Sequence, residues 1–382
     1  MDLNFHYFAV KAIAVTAGFS EPEAQEIATF SQYIDDFDWF KLILLNEVPG
    51  YARHLAKNIG IGYLFNPVTT GFPNWYDMLL LAAERYQKWI VTPYHFIPGK
   101  CLRDMPDDHT WRVKPAHMND QSLITDMLKK ARDTFIREGE TNRKINLMRI
   151  GMLLHTFADT CAHQSFNGFH GWQNYTWLDK VTNNIDGKDI TGDYSPAMYH
   201  NIYAVGHAEA NHAPDDSNVT FNMRQYEYKD GQYSRPYSRN NTEEFLELSR
   251  EIADFLLSCR NEPKMSDGNW NLLSEKLKQG FKTPLKDPEE LAKHWAEIFC
   301  GISSFSYDKN AVLSAMLKPC GELLDERMAQ LAEANSISGV VFEATDKFFW
   351  YNVLADEMRT AVVGTVFTSP LTEELAKQFN AG

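Results

Sequence analysis

The chain has 382 residues, which suggests two or three domains or one large one. Its 44% apolar and 23% charged composition excludes wholesale disorder. A net charge of −14 argues against a broad basic surface for nucleic acid or anionic lipid.

The opening segment MDLNFHYFAV has no basic n-region and carries Asp2, Asn4 and His6, unlike a standard signal peptide. No apolar run approaches the roughly eighteen residues of a membrane span. The expected location is cytoplasmic, or exported without a standard signal. Five cysteines (Cys101, Cys161, Cys259, Cys300, Cys320) are too few for a disulfide scaffold, and their odd number fits a reducing compartment.

The helical period dominates the rest of the chain. Pro22 to Ile34 places Ala24, Ile27, Ala28, Phe30, Tyr33 and Ile34 on one stripe, with Ser20 and Glu23 forming a capping box. Further helices are expected over Trp75 to Trp89, over Gln121 to Phe135 with Asn119 as cap, over Asn142 to Phe166, over Pro196 to Asn211, and from Asn241 through Cys259. Residues 92–118 contain Pro93, Pro98, Pro106 and Pro115 and read as a long loop. Residues 218–239 alternate around Asp230-Gly231, a hairpin turn signal. The stretch 261–290 is rich in Lys, Asp, Pro and Gly and reads as a linker. Beyond it, helices are expected near 289–300, 309–333, 343–359 and 371–379. The expected architecture is all-α: a multi-helix bundle at 1–260 with a small β-hairpin insertion, then a C-terminal helical extension at 291–382 free of metal ligands.

The strongest local signal is His155-Thr-Phe-Ala-Asp159-Thr-Cys-Ala-His163. Spacings of four and eight residues drift by about 40° and 80° around a helix, so the three share a face. His155 and His163 lie about 12 Å apart along the axis, too far for one ion. Two ions with Asp159 between them, one oxygen for each, solve the geometry. Imidazole and carboxylate suit zinc, with manganese or iron as alternatives. The setting IGMLLHTFADTCAH is apolar, and buried His and Asp must be paired or bind metal. The plain alternative is a set of core side chains satisfying one another. Cys161 falls on the opposite face and reads as a structural thiol.

Other candidate ligands are spread along the chain. His6 sits in FHYF. Asp35, Asp36 and Asp38 end the first long helix, where the dipole disfavours carboxylates, so a cation is expected beside them unless they form a solvated acidic turn. His95 lies in TPYHFIP. His207 and His212 occur in GHAEANHAPDD, before Asp215 and Asp216, with His200 one face-repeat earlier. His54, His109, His117, His170 and His294 read as surface or turn residues. Glu209-Ala-Asn-His212 is the one good Glu-x-x-His pair, whereas a di-iron bundle needs two. His-Glu-x-x-His, His-Asp, Walker, Gly-x-Ser-x-Gly and Rossmann motifs are absent from the sequence.

In order, these residues resemble the all-α, zinc-dependent phospholipase C group, which includes fungal-type single-strand nucleases. That group uses an N-terminal-region His, a helical Asp, a further His, a His-x3-Asp with another His, and then a His-x3-Glu or His-x3-Asp. Here His6, Asp35 or Asp36, His95, His155, Asp159, His163 and His207 occur in the same order. DLNFHYFAV, SQYIDD, HTFADTCAHQSFNG and GHAEANHAPD look more narrowly like an uncharacterised bacterial family related to that group. The resemblance covers about 1–215 and implies two or three zinc ions, a bridging Asp159, and Asp35 or Asp36 as ligand or general base. Two departures stand out. The group's mature N-terminus binds metal after signal removal, whereas this chain starts at Met1. The last pair would be His207 and Asn211, where Asn is a poor substitute for the carboxylate, which leaves Glu209, Asn211, His212 and Asp215 as the candidates for the last ligand.

The implied activity is metal-dependent hydrolysis of phosphoric esters, phospholipase C-like, on a phosphoester substrate such as a lipid headgroup. Two alternatives stand beside it: a single-strand nuclease of the same fold, with nucleic acid only as substrate, and a non-catalytic binding or scaffold protein.

Overall fold

The computed structural model of the chain describes residues 1–60, 62–71, 84–98, 112–194, 205–227, 232–322 and 340–366. A buried π-helical turn over Asn4–Ala9 runs directly into α1 (Val10–Thr16). Helix α2 (Glu21–Asp36) opens at the expected box, where Glu23 Oε2 accepts from the Ser20 backbone N–H at 2.9 Å. Three short strands come next: β1 (Ile43–Leu45), β2 (Ala56–Asn58) and β3 (Tyr63–Phe65). The short helices α3 (Glu84–Tyr86) and α4 (Thr92–His95) flank a π stretch, Gln87–Val91. Then come α5 (Leu123–Glu138) and α6 (Arg143–Ala162). Ser122, not Asn119, caps α5, accepting from the Thr125 N–H at 3.3 Å.

Next are β4 (Thr176–Asn183), β5 (Val219–Gln225) and β6 (Tyr237–Asn240), an antiparallel sheet in that order. The expected turn at Asp230-Gly231 lies outside the described residues, as do the helix at 371–379, most of the one at 75–89 and much of the one at 196–211. Helices α7 (Asn241–Cys259), α8 (Asp267–Phe281), α9 (Pro288–Ile298) and α10 (Lys309–Met316) lead to β7 (Leu317–Glu322), β8 (Val340–Ala344) and α11 (Asp346–Val366). Within the stretch read as a linker, α8 buries Leu273, Leu277 and Phe281.

The all-α expectation is therefore wrong: the fold mixes helices with one five-stranded and one three-stranded sheet. The five-stranded sheet runs β2-β3-β1-β8-β7, with β1 and β8 parallel and Leu44 opposite Val341. Strands β1 to β3 have three residues each, too few for alternation to register against the helical signal. Strand β7 occupies part of the stretch read as a helix over 309–333. Pro319 ends helical continuation there, and the register shifts between Pro319 and Gly321 on what is an edge strand. The C-terminal region is likewise not a purely helical extension, because β7 and β8 extend a sheet begun by β1.

The larger apolar core joins Phe5, Phe8 and Ile27 with Trp295, Phe348 and Leu354, and a second one holds Val181, Phe221 and Met223 of the three-stranded sheet. Among the described residues no helix is long and apolar enough to cross a membrane. Polar ties bind α11 to the first half of the chain. The buried Asn352 side chain accepts from the Val68 N–H at 2.7 Å and donates to the Phe348 carbonyl at 2.8 Å. Tyr94 Oη donates to the Ala355 carbonyl at 2.8 Å. Replacing Asn352 with Ala should cost about 1–3 kcal/mol, the desolvation penalty of an unsatisfied buried amide. A thermal melt should show a single transition several degrees lower. An unchanged transition would mean that this tie carries no weight.

Candidate metal centre

Helix α6 is the backbone of the site. Residues Ile150 to Ala162 are all buried, so every polar group on that stretch must find a partner inside the protein. His155 and Asp159 project one turn apart, and His163 is the first residue past the helix, with φ −90° and ψ 12°. The π-helical turn near the N-terminus lays His6 against α6, its ring stacked on that of His155 at 3.9 Å between centroids. His95 ends α4 and Asp35 lies in the last turn of α2. His207 and Asp215 flank a single 3-10 turn, Ala208–Ala210.

Close packing brings α2 to α6. A Cβ on Gly151 would lie 2.3 Å from the Ile27 carbonyl oxygen, and one on Gly71 would lie 1.9 Å from that of Asp35. A side chain at Gly151 would force α2 and α6 apart, and one at Gly71 would displace the end of α2 that carries Asp35.

Three groups result, each with its ligand atoms within 4.8 Å of one another: His6–His155–Asp159, Asp35–His95–His155 and His163–His207–Asp215. Asp159 links them. Its Oδ2 lies 3.1 Å from His155 Nε2, 3.2 Å from His95 Nδ1 and 3.7 Å from His163 Nδ1. Its Oδ1 lies 3.1 Å from His6 Nε2 and accepts from the α-amino group of Met1 at 2.8 Å. Asp35 Oδ1 stands 3.6 Å from His155 Nε2 and 3.7 Å from His95 Nδ1. Asp215 reaches His163 Nε2 with Oδ1 at 3.1 Å and His207 Nε2 with Oδ2 at 3.2 Å. The centre is closed around Asp159, whereas the side chains of Asp35 at 31%, His207 at 18% and Asp215 at 16% exposure border solvent.

The protons are arranged as for metal ligands. His95 Nε2 points at the Thr70 carbonyl at 2.8 Å, His163 Nδ1 at that of His95 at 2.7 Å, and His207 Nδ1 at that of Asn211 at 2.8 Å. A carbonyl only accepts, so each of these nitrogens carries the hydrogen and the other nitrogen of a neutral ring is a bare lone pair. Those lone pairs face carboxylate oxygens, and either a bound cation or a second proton on the ring reconciles acceptor with acceptor.

Burial and the neighbouring charges shift these groups in different directions. Burial, with the charges of His155 and the α-amino group, holds His6 well below the usual histidine range. Burial takes His207 down to about 4 against the pull of Asp215. At His95 burial opposes the proton, but the hydrogen bond and charge of Asp159, with Asp35, override it and raise the ring. Burial works to raise Asp159 and Asp215. At Asp159 the charges of His163, the α-amino group and His155 win, and at Asp215 those of His207 and the α-amino group, so both stay well below the carboxylate range. Burial lifts Asp35.

Of the residues singled out in the sequence, the structure brings together His6, Asp35, His95, His155, Asp159, His163 and His207. Two stand apart. Asp36 accepts from Gln32 Nε2 at 3.1 Å and Tyr307 Oη at 2.6 Å, on the side of α2 away from the histidines. His212 is exposed, and its carbonyl accepts the Asp215 and Asp216 N–H groups. Of the residues named to replace the missing carboxylate, Asp215 is the one that converges, whereas Glu209 accepts the Thr176 N–H at 2.7 Å. The expected partition also changes. His163 joins His207 and Asp215, and the second oxygen of Asp159 turns to His6 and the Met1 amine, since the N-terminal turn covers that side of α6. No residue type in the sequence signals the amine. Cys161 is buried away from these groups, its thiol pushed up to about 12 by burial.

A model of a family of unknown function (DUF6765) matches residues 1–363, and the chain belongs to that family. No curated protein and no solved structure matches it.

Proposed function

We propose that this chain is a zinc-dependent hydrolase of phosphoric esters, phospholipase C-like, with two to three ions held by the His–Asp groups. One observation carries the reading: three histidines commit an N–H to a backbone carbonyl and turn the other nitrogen toward shared carboxylates. The ordered resemblance to the zinc phospholipase C group supports it. So does the place of Asp159, which offers one oxygen to each side of the cluster.

When bound, divalent ions polarise a phosphoryl oxygen and lower the pKa of an attacking water toward about 7. The chain's own residues do the rest. Asp35, the most open of the three carboxylates, takes up the water's proton or orients it. Asp159 stays ionised and offsets positive charge in a buried interior, where such charge is otherwise costly. The closed histidine side keeps bulk water out, and a substrate enters past Asp35 or past His207 and Asp215.

Protein purified without chelator should carry at least two zinc-like ions per chain by emission spectroscopy. It should hydrolyse a generic phosphodiester such as bis(p-nitrophenyl) phosphate, and strong chelation should abolish that activity. Fewer than one ion per chain would end the reading. Full metal without turnover on any phosphoester would leave a metal-binding scaffold in its place.

A further inference from the structure

We propose that Arg239 is the positioning residue of the His163–His207–Asp215 triad: its guanidinium ties together the two separate chain segments that carry His163 and Asp215. The proposal rests on the reading of the His–Asp groups as metal sites.

Arg239 lies on β6 and is 5% exposed. Its Nη1 donates to the Ala162 carbonyl at 2.7 Å and its Nη2 to the Pro214 carbonyl at 3.2 Å. Those residues immediately precede His163 and Asp215. Ala162 closes α6, so its carbonyl has no partner within the helix, and a cation suits the negative end of the helix dipole. The plane of the guanidinium is supported by Phe221, whose ring centroid is 5.4 Å away. The Asp215 loop has other ties. Asn241 Nδ2 donates to the Ala213 and Asp216 carbonyls at 2.7 and 2.8 Å, and Thr242 Oγ1 to that of Ser217 at 2.8 Å. Those bonds hold the loop to α7, whereas Arg239 fastens it to α6.

The Glu244 and Asp215 carboxylates act on the guanidinium through space, without a direct ion pair. Among the described residues no carboxylate oxygen comes within the 4.0 Å of a salt bridge. Burial works against the Arg239 charge, and those two carboxylates only partly offset it. A rigid fork with two donors at fixed separation is what the place uses, and Lys, a single point charge, does not reproduce it.

The test compares wild type, Arg239→Met, Arg239→Lys and His207→Ala by cobalt(II) titration of the metal-free protein, with visible absorption and metal analysis as readouts. Arg239→Met should lose one ion per chain and the same absorption component that His207→Ala loses, with the remaining ion or ions bound as in wild type. Arg239→Lys should keep the fold and weaken that one ion at least tenfold. A general structural role would weaken all ions together, and that result overturns the proposal, as does full wild-type binding in either Arg239 variant. Should Arg239→Met not fold, Arg239→Lys alone decides. A wild-type protein that binds no cobalt overturns the metal reading itself, a failure visible before any variant is made.

Discussion

Asp159→Asn should remove at least one metal ion per chain and weaken the rest more than about 100-fold, beyond the loss seen when only an outer-shell partner of a metal ligand is removed. Both oxygens of Asp159 are engaged, one by His155 and His95 and the other by His6 and the Met1 amine. Asn presents one acceptor and one NH2 donor, so one of those two sides faces a donor instead of an acceptor. It also removes the negative charge that offsets the bound cations. Helix propensity does not confuse the result, since Asn and Asp rank together. Phosphodiester hydrolysis should fall with the metal. Cys161→Ala is the control, two residues along the same buried helix but away from the ligands. It should cost about 1 kcal/mol of stability and leave metal content intact. Full metal and full activity in Asp159→Asn would mark Asp159 as a satisfied core carboxylate, and the phosphoesterase reading would lose its central residue.

Gly151→Ala should damage the centre from a distance. Two effects oppose each other. Ala favours the helix by about 1 kcal/mol over Gly. The new Cβ, however, would meet the Ile27 carbonyl oxygen at 2.3 Å and the Ser31 nitrogen at 3.2 Å, and both are backbone atoms of α2 that cannot rotate aside. Overpacking of this kind costs about 1–3 kcal/mol, at the upper end where backbone must move. The clash therefore wins, and Tm should drop by several degrees, at roughly 2–4 °C per kcal/mol. Moving α2 off α6 also carries Asp35 away from His155, a separation of 3.6 Å in the native fold. A displacement of about 1 Å is enough to cost on the order of 100-fold in rate. Gly268→Ala, near the start of α8 with nothing within 4 Å of its added methyl, should hold or raise Tm and leave metal content unchanged. Equal behaviour of the two variants would show that the α2–α6 approach does not set the site.

Local signals specify three of the helices: α2 through its stripe and the Ser20–Glu23 box, α6 through its long apolar run, and α7 from Asn241 onward. They also pick out most of the candidate ligands, because imidazole and carboxylate in an apolar helix demand partners wherever the helix packs. Tertiary structure decided the rest. Strands of three residues carry too little periodicity to be read, and β8 lies between β7 and β1, the latter about 300 residues away in the chain. Asp35 and Asp36 are neighbours in one helical turn, and only the packing of α2 on α6 tells which faces the histidines. Asp215 and the Met1 amine reach the centre through folding of loop and terminus, which no local pattern encodes. Nor does local pattern show that Arg239, far along the chain on β6, fastens the helix bearing His163 to the loop bearing Asp215: that depends on where two backbone carbonyls come to rest.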